Sequence, residues 1–327
     1  MLAYYFDQHR LPLPPGHRFP ASKYGRLRER VEAEAEGITL REAPAAAEGE
    51  LALAHVPSYI DDVLQGTLAA WHQREIGLPW SPALAERARR SVGATVAAAR
   101  AACGAGPHAG VAASLGGGTH HAQAAGGAGY CVFNDVAVAA RLMQAEWHRH
   151  ERRLLQILVI DLDVHQGNGT ASIFAEDETV FTFSMHGERN FPFRKCPGDL
   201  DVGLADGCED ATYLHALDQG LDEVGRRLAH RPPGLAFYVS GADAHEADRL
   251  GRLNLTVQGL AERDRRVLQW LGQRRIPAAV LMAGGYGRDI EITVGLHLQT
   301  LRLASEAHAR WREDEDARRP RDRTMHG

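Results

Sequence analysis

The sequence predicts an α/β protein built on a parallel sheet, and three observations carry that prediction. Short apolar runs recur at Leu154–Ile160, Leu235–Ser240 and Ile276–Met282, the composition of strands buried on both faces. Helical patterns lie between such runs, the alternation expected of crossover connections. Each run also ends in polar side chains able to hold a metal or move a proton: DLDVHQGNGT, GADAHEAD and AGGYGRD. In open α/β sheets the crevice beyond the carboxyl ends of the strands is where ligands bind.

In chain order, residues 2–6 (LAYYF) read as a first strand, and LPLPPGHRFP follows as an irregular surface segment. Lys23 to Glu36 is helical. A short strand is expected around Leu51 to Ala54 and a helix from Pro57. The alanine-rich run Pro82 to Cys103 predicts a helix that packs closely on its neighbours. Asn134 opens another small-residue helix leading to the central strand. Thr179 to Ser184 is a strand, and the loop after it, MHGERNFPFRKCPGDLDVGL, has the aromatic and proline content of a pocket wall. Asp210 to His230 and Ile292 to His308 are helices. Residues 1–310 are expected to form one domain, with 311–327 a frayed, charged tail.

Composition narrows the function. A formal net charge of −5 argues against general nucleic-acid binding. No apolar run suffices to cross a bilayer, and the N-terminus lacks a signal-peptide layout, so a cytoplasmic location is expected. Cys103, Cys131, Cys196 and Cys208 form no CxxC pair and read as reduced thiols. Gly116 to Gly118 lack the spacing of a phosphate loop.

Asp161, Asp163 and His165 follow the central strand at two-residue spacing, and Asp243 follows the next one. Asp163, His165 and Asp243 would make a three-ligand site with an open position, whose mixed nitrogen and oxygen donors suit zinc, with ferrous iron or cobalt as substitutes. A structural alternative reads the Asp residues as caps of the next helix. His120 and His121, flanked by glycine-rich stretches, offer groups that titrate near neutrality. Tyr286, between glycines, could donate to a developing oxyanion, and Asp161 and Asn168 could orient the histidines. Together these features specify metal-dependent hydrolysis of an amide or ester.

GGGTHHA, DLDVHQGNGT, GADAHEADRLGRL and AGGYGRD resemble, in order and spacing, the motifs of the zinc-dependent histone deacetylase family. That family includes acetoin-utilisation proteins and acetylpolyamine amidohydrolases. LPPGHRFP and GADAHEADRLGRLNLT look closest to the class IV enzymes and their bacterial relatives. The resemblance implies the arginase/deacetylase fold, a three-layer α/β/α sandwich around an eight-stranded parallel sheet. It implies that Asp163, His165 and Asp243 hold zinc and that His121 is general base and acid, with His120 tuning the charge. Tyr286 then polarises the scissile carbonyl. Asp161, Ser184 and the main-chain carbonyls of Asp163, His165 and Met185 would surround a structural K+ or Na+. Gly129, Tyr130 and Phe191 would wall a narrow acyl-lysine tunnel. The implied substrate is an acylated lysine in a protein or peptide, or an acylated polyamine.

Two positions depart from the family pattern. Asn168 stands where class I enzymes carry aspartate, which weakens His121 as a base, and Val56 replaces a common rim aspartate. A binuclear ureohydrolase site would need further carboxylates, but Gly167 and His245 occupy the positions two residues past His165 and Asp243. An inactive acyl-lysine reader has no need of His121 and Tyr286, which are both present.

Overall fold

In a computed structural model, which describes residues 1–9 and 11–318, eight strands form a single sheet in the order β2-β1-β3-β8-β7-β4-β5-β6, with every neighbouring pair parallel. The strands are β1 (Leu2–Tyr5), β2 (Thr39–Glu42), β3 (Val111–Ser114), β4 (Ile157–Asp161), β5 (Val180–Gly187), β6 (Leu200–Leu204), β7 (Leu235–Ser240) and β8 (Ala278–Met282). Central strands bury both faces. On β4, Leu158 and Ile160 join one apolar cluster while Ile157 and Val159 join the other.

The helices are α1 (Lys23–Glu34), α2 (Glu48–Leu51), α3 (Pro57–Gln65), α4 (Ala70–Ile76), α5 (Pro82–Cys103), α6 (Asp135–Glu151), α7 (Asn168–Phe174), α8 (Asp210–Arg227), α9 (Val257–Gln273) and α10 (Ile290–Arg318). Apolar side chains of α5 and α6 pack on one face of the sheet, and those of α1, α8, α9 and α10 on the other. The close packing expected of α5 is real: at Gly93 a Cβ would sit 1.9 Å from the carbonyl oxygen of Pro44. Ser81 and Asn134 cap α5 and α6 by accepting the backbone N–H of Leu84 and Ala137. Among the described residues no helix is long and apolar enough to cross a membrane.

Three expectations need correction. The segment around Leu51 to Ala54 is no strand. Glu48–Leu51 is a helical turn whose start is fixed by the Glu50 carboxylate accepting the Ala47 N–H at 2.8 Å, and Leu51 is buried while Leu53 is exposed. The strand that pairs with β1 is instead Thr39–Glu42, a mostly exposed edge whose TLRE sequence carries no apolar signal. The closing helix also does not end near His308. It continues to Arg318, with Trp311 buried beneath the Arg275 guanidinium at 3.9 Å and against Gly110, so a frayed tail does not begin at 311. Residues 319–327 of that expected tail lie outside the described residues.

Candidate metal centre

The four strands at the middle of the sheet, β3, β8, β7 and β4, are neighbours in space, and of these only β7 and β8 are consecutive strands in the sequence. Their carboxyl ends bring the predicted groups to one crevice. After β4 the alternation holds: Leu162 and Val164 are buried in the apolar core, while Asp161, Asp163 and His165 turn to the polar side. Asp243 arrives from β7 and Tyr286 from β8.

Asp163, His165 and Asp243 each offer a ligand atom within 4.8 Å of the other two, and all three are buried. His165 Nδ1 lies 2.9 Å from Asp163 Oδ1 and 3.2 Å from Asp243 Oδ2. Backbone N–H groups fix the carboxylates, Val164 N donating to Asp243 Oδ1 at 3.0 Å and Gly284 N to Asp163 Oδ2 at 2.8 Å. Asp243 Oδ2 is the atom left over. It is buried with no hydrogen bond that satisfies it, and faces His165 Nδ1 at the ion-pair distance of 3.2 Å. A buried carboxylate oxygen is costly to leave unpaired, and a cation held by the three side chains would satisfy it. The donor set therefore fits a single metal ion. Glycines line the approach: a Cβ on Gly284 would lie 1.9 Å from Asp243 Oδ2, and one on Gly241 2.5 Å from Asp243 Oδ1.

The histidine doublet sits on the loop after β3. Its glycines wrap a buried carboxylate, with Gly118 N and Thr119 N donating to Asp135 at 2.9 and 2.7 Å. That loop turns both rings toward the crevice, their centroids 4.1 Å apart. His120 Nδ1 meets Asp161 Oδ2 at 2.6 Å, and His121 Nδ1 meets Asn168 Oδ1 at 2.8 Å. The different partners separate the two rings electrostatically. Burial disfavours the charge on both, but Asp161 and Asp163 outweigh it at His120 and raise its pKa to about 9. His121 has only a neutral amide at Nδ1, and burial with the nearby His120 and His165 holds its pKa well below the ordinary range. His121 is thus neutral at pH 7, and with Nδ1–H given to Asn168 its Nε2 can accept a proton.

Tyr286 is half-buried, and desolvation of its phenol followed by the charges of Asp163 and Asp243 pushes the pKa well above the ordinary value, so the hydroxyl keeps its proton. Its backbone is clamped from both sides: Tyr286 N donates to Asp248 Oδ2 at 2.6 Å, and Arg249 Nε donates to Tyr286 O at 2.6 Å. At the mouth, Phe191 stands edge-on to His121 with centroids 4.8 Å apart, and the Tyr130 and Tyr286 rings are 5.8 Å apart. Gly129, at φ 53°, leaves no room for a side chain, since a Cβ would lie 2.6 Å from His121 and 3.0 Å from Phe191. Ser184 is in register with Asp161 across β4 and β5, and Met185 beside it is buried; the Ser184 hydroxyl contacts His186 Nδ1 at 2.9 Å.

Sequence reasoning missed the girder beneath the site. Arg263 and Asp264, on α9, are both buried and paired at 2.8 Å. Arg263 Nη1 donates to the carbonyl of Leu162 at 3.2 Å and of Gly241 at 2.7 Å, tying together the two loops that carry Asp163 and Asp243. Asp264 also accepts from Tyr238 and Thr300. Lys23, equally buried, reaches the carbonyl of Ala283 at 2.8 Å from α1 and braces the Tyr286 loop.

Comparison with known proteins agrees with this geometry. Residues 17–299 match the histone deacetylase domain. The chain is 41% identical over 309 residues to an uncharacterised protein of Picosynechococcus, covering 93% of this chain and 98% of the relative. It is 27% identical over 281 residues to histone deacetylase 2 of Arabidopsis thaliana, covering 83% and 70%. Among solved structures, a histone deacetylase homologue complexed with SAHA superposes with a TM-score of 0.76 at 22% identity, over 96% of this chain and 88% of that one. A homologue from Aquifex aeolicus gives 0.75 at 23%, over 93% and 83%. At such identities the structural likeness establishes the shared fold, and the domain match supplies the rest: with an all-parallel eight-stranded sheet and a buried Asp-His-Asp group at its crevice, the chain belongs to the histone deacetylase family.

Proposed function

We propose that this protein is a zinc-dependent amidohydrolase that removes an acyl group from an acylated lysine. The observation that carries the reading is the orphaned Asp243 Oδ2, facing His165 Nδ1 in a buried group beside one histidine paired with a carboxylate and one paired with an amide. Asp163, His165 and Asp243 would hold the ion, with ferrous iron or cobalt able to replace zinc. Bound there, zinc supplies Lewis acidity, polarising a carbonyl and acidifying water. His121 Nε2 accepts the proton of the attacking water, Tyr286 donates to the oxyanion, and a histidine of the doublet returns a proton to the departing amine. Gly129, Tyr130 and Phe191 confine the extended acyl-lysine stem. A K+ or Na+ bound at Asp161, Ser184 and the carbonyls of Asp163, His165 and Met185 would stiffen the loop that carries the ligands.

The test is hydrolysis, by zinc-loaded protein, of one lysine peptide bearing acetyl, octanoyl or myristoyl groups, with acetylputrescine alongside and a chelator control. Chelator-sensitive cleavage of a peptide is the expected result. Cleavage of acetylputrescine alone would replace this reading with a polyamine amidohydrolase. Tight peptide binding without cleavage of any substrate would replace it with an acyl-lysine reader.

A further inference from the structure

The entrance to the metal centre is a cavity of about 620 Å³ that shares His121, His165 and Tyr286 with the site. Four arginines line it: Arg18, Arg189, Arg249 and Arg252. They come from three separate segments, so the collar is assembled by the fold. Arg252 is neutralised by Asp206 at 3.0 Å. The other three, all exposed, have no carboxylate partner among the described residues. Arg249 is held rigid by backbone carbonyls, Nε to Tyr286 O at 2.6 Å and Nη2 to Arg18 O at 3.2 Å, which orients its guanidinium without cancelling its charge.

Acids stand nearby as well: Glu246, Asp248 and Asp289 line an adjoining cavity with Arg18, Arg249 and Arg288, but none of the three lines the entrance itself. The Asp248 carboxylate is turned to the N–H groups of Tyr286, Leu250 and Gly251 and pairs with no arginine of the collar, and Glu75 is the one carboxylate among the residues lining the entrance. The chain as a whole carries a formal charge of −5, so the basic collar runs against its composition. Beside it Phe193 is 88% exposed, an apolar contact for a polypeptide passing over the rim.

We propose, on the deacylase reading above, that the entrance selects acyl-lysines flanked by acidic residues. Guanidinium groups pair with carboxylates in a planar, two-pronged geometry and repel ammonium groups. A peptide with Asp or Glu on either side of the acylated lysine places carboxylates over Arg18, Arg189 and Arg249 while the acyl-lysine stem enters between Tyr130 and Phe191. An acylated polyamine or a lysine-rich tail brings cations to the same collar and is disfavoured.

The experiment compares acetyl-lysine peptides of equal length flanked by acidic, neutral or basic residues, with acetylputrescine as a further arm. The expected order of kcat/KM on the zinc-loaded full chain is acidic, neutral, basic, with steps of about tenfold at low ionic strength that shrink in salt as exposed pairs are screened. Arg18→Glu together with Arg189→Glu should reverse the order. Equal rates across the wild-type series, or faster cleavage of the basic peptide or acetylputrescine, would overturn the proposal. If no peptide is cleaved, the deacylase reading fails, and fluorescence anisotropy with the same peptides decides this proposal separately: the acidic peptide must still bind most tightly, and uniform binding overturns it.

Discussion

His121 hands its Nδ1–H to the side-chain oxygen of Asn168 at 2.8 Å, while its neighbour His120 shares a proton with the carboxylate of Asp161 at 2.6 Å. One ring therefore has a neutral partner and the other an anionic one. The substitution Asn168→Asp would give both the same partner. An added carboxylate favours the imidazolium, so the pKa of His121 rises and the base is protonated at higher pH. The acid limb of the kcat/KM profile should move up by about one pH unit or more. An unmoved limb would remove His121 from the role of base.

The ligand group predicts how metal affinity depends on pH. Asp163 and Asp243 overcome burial to raise the His165 pKa to about 10, and burial with the Asp163 charge raises Asp243 to about 7. Zinc needs a neutral imidazole and ionised carboxylates, so protons compete with it below each value. Affinity should climb about tenfold per pH unit from 7.5 to 9 as His165 yields its proton, and more steeply below 7, where Asp243 must yield one as well. Competition with a chromophoric chelator across pH 6 to 9 would show this, and a flat affinity would contradict it.

Removing the phenol and removing a ligand should have separable effects. Tyr286→Phe should keep one zinc per chain yet lose about 10²- to 10³-fold in kcat, the cost of an oxyanion donor. Asp243→Ala should lose the metal along with the activity. Metal analysis beside steady-state kinetics distinguishes them, and wild-type turnover by Tyr286→Phe would exclude its oxyanion role.

Two glycine substitutions contrast space with its absence. Gly284→Ala would place a methyl 1.9 Å from Asp243 Oδ2, so the ligand must move and zinc occupancy should fall. Gly272→Ala, near the end of α9, meets nothing within 4 Å and should leave zinc binding untouched while raising stability by about 0.5 to 1 kcal/mol. Metal content and thermal melts of the pair test the assignment of that crowding.

Asp264→Ala would strand Arg263 as a buried cation and free the Tyr238 and Thr300 hydroxyls. The loss should be about 3 to 5 kcal/mol, read by urea denaturation, and larger than that of Asp264→Asn. A cost below about 1 kcal/mol would show that the pair bears little of the load.

The site was legible because its residues are chemically marked and sit immediately after apolar strands. Asp163, His165, Asp243, His120, His121 and Tyr286 all meet where the strand ends place them. What escaped lacks such marks. AERDRRVLQW in α9 looks like a solvated face, yet its Arg263 and Asp264 are among the most buried charges in the chain. Nothing in their type separates them from the exposed Arg265 beside them; only the position of α9 against the Leu162 and Gly241 carbonyls, just past β4 and β7, does. Edge strand β2 escaped for the opposite reason, since exposure removes the apolar pattern by which strands are recognised; β6 does alternate, with Leu200, Val202 and Leu204 on the core, but it follows the proline-rich loop directly and reads as part of it. The short helical turn at Glu48 was misread because two leucines two residues apart imitate a strand.

The order of strands also sets a timetable. The crevice lies between β3, β8, β7 and β4, so one of its walls, β8, is the last of the eight strands to leave the ribosome. A chain emerging N-terminus first displays Asp163 and His165 long before Asp243 and Tyr286, and β8 must slot between β3 and β7 to complete the sheet. The three-ligand group cannot form until the C-terminal third has been made and threaded into the middle. An ion bound by Asp163, His165 and Asp243 would accordingly be taken up only once these strands are in place, from whichever metal the finished pocket meets.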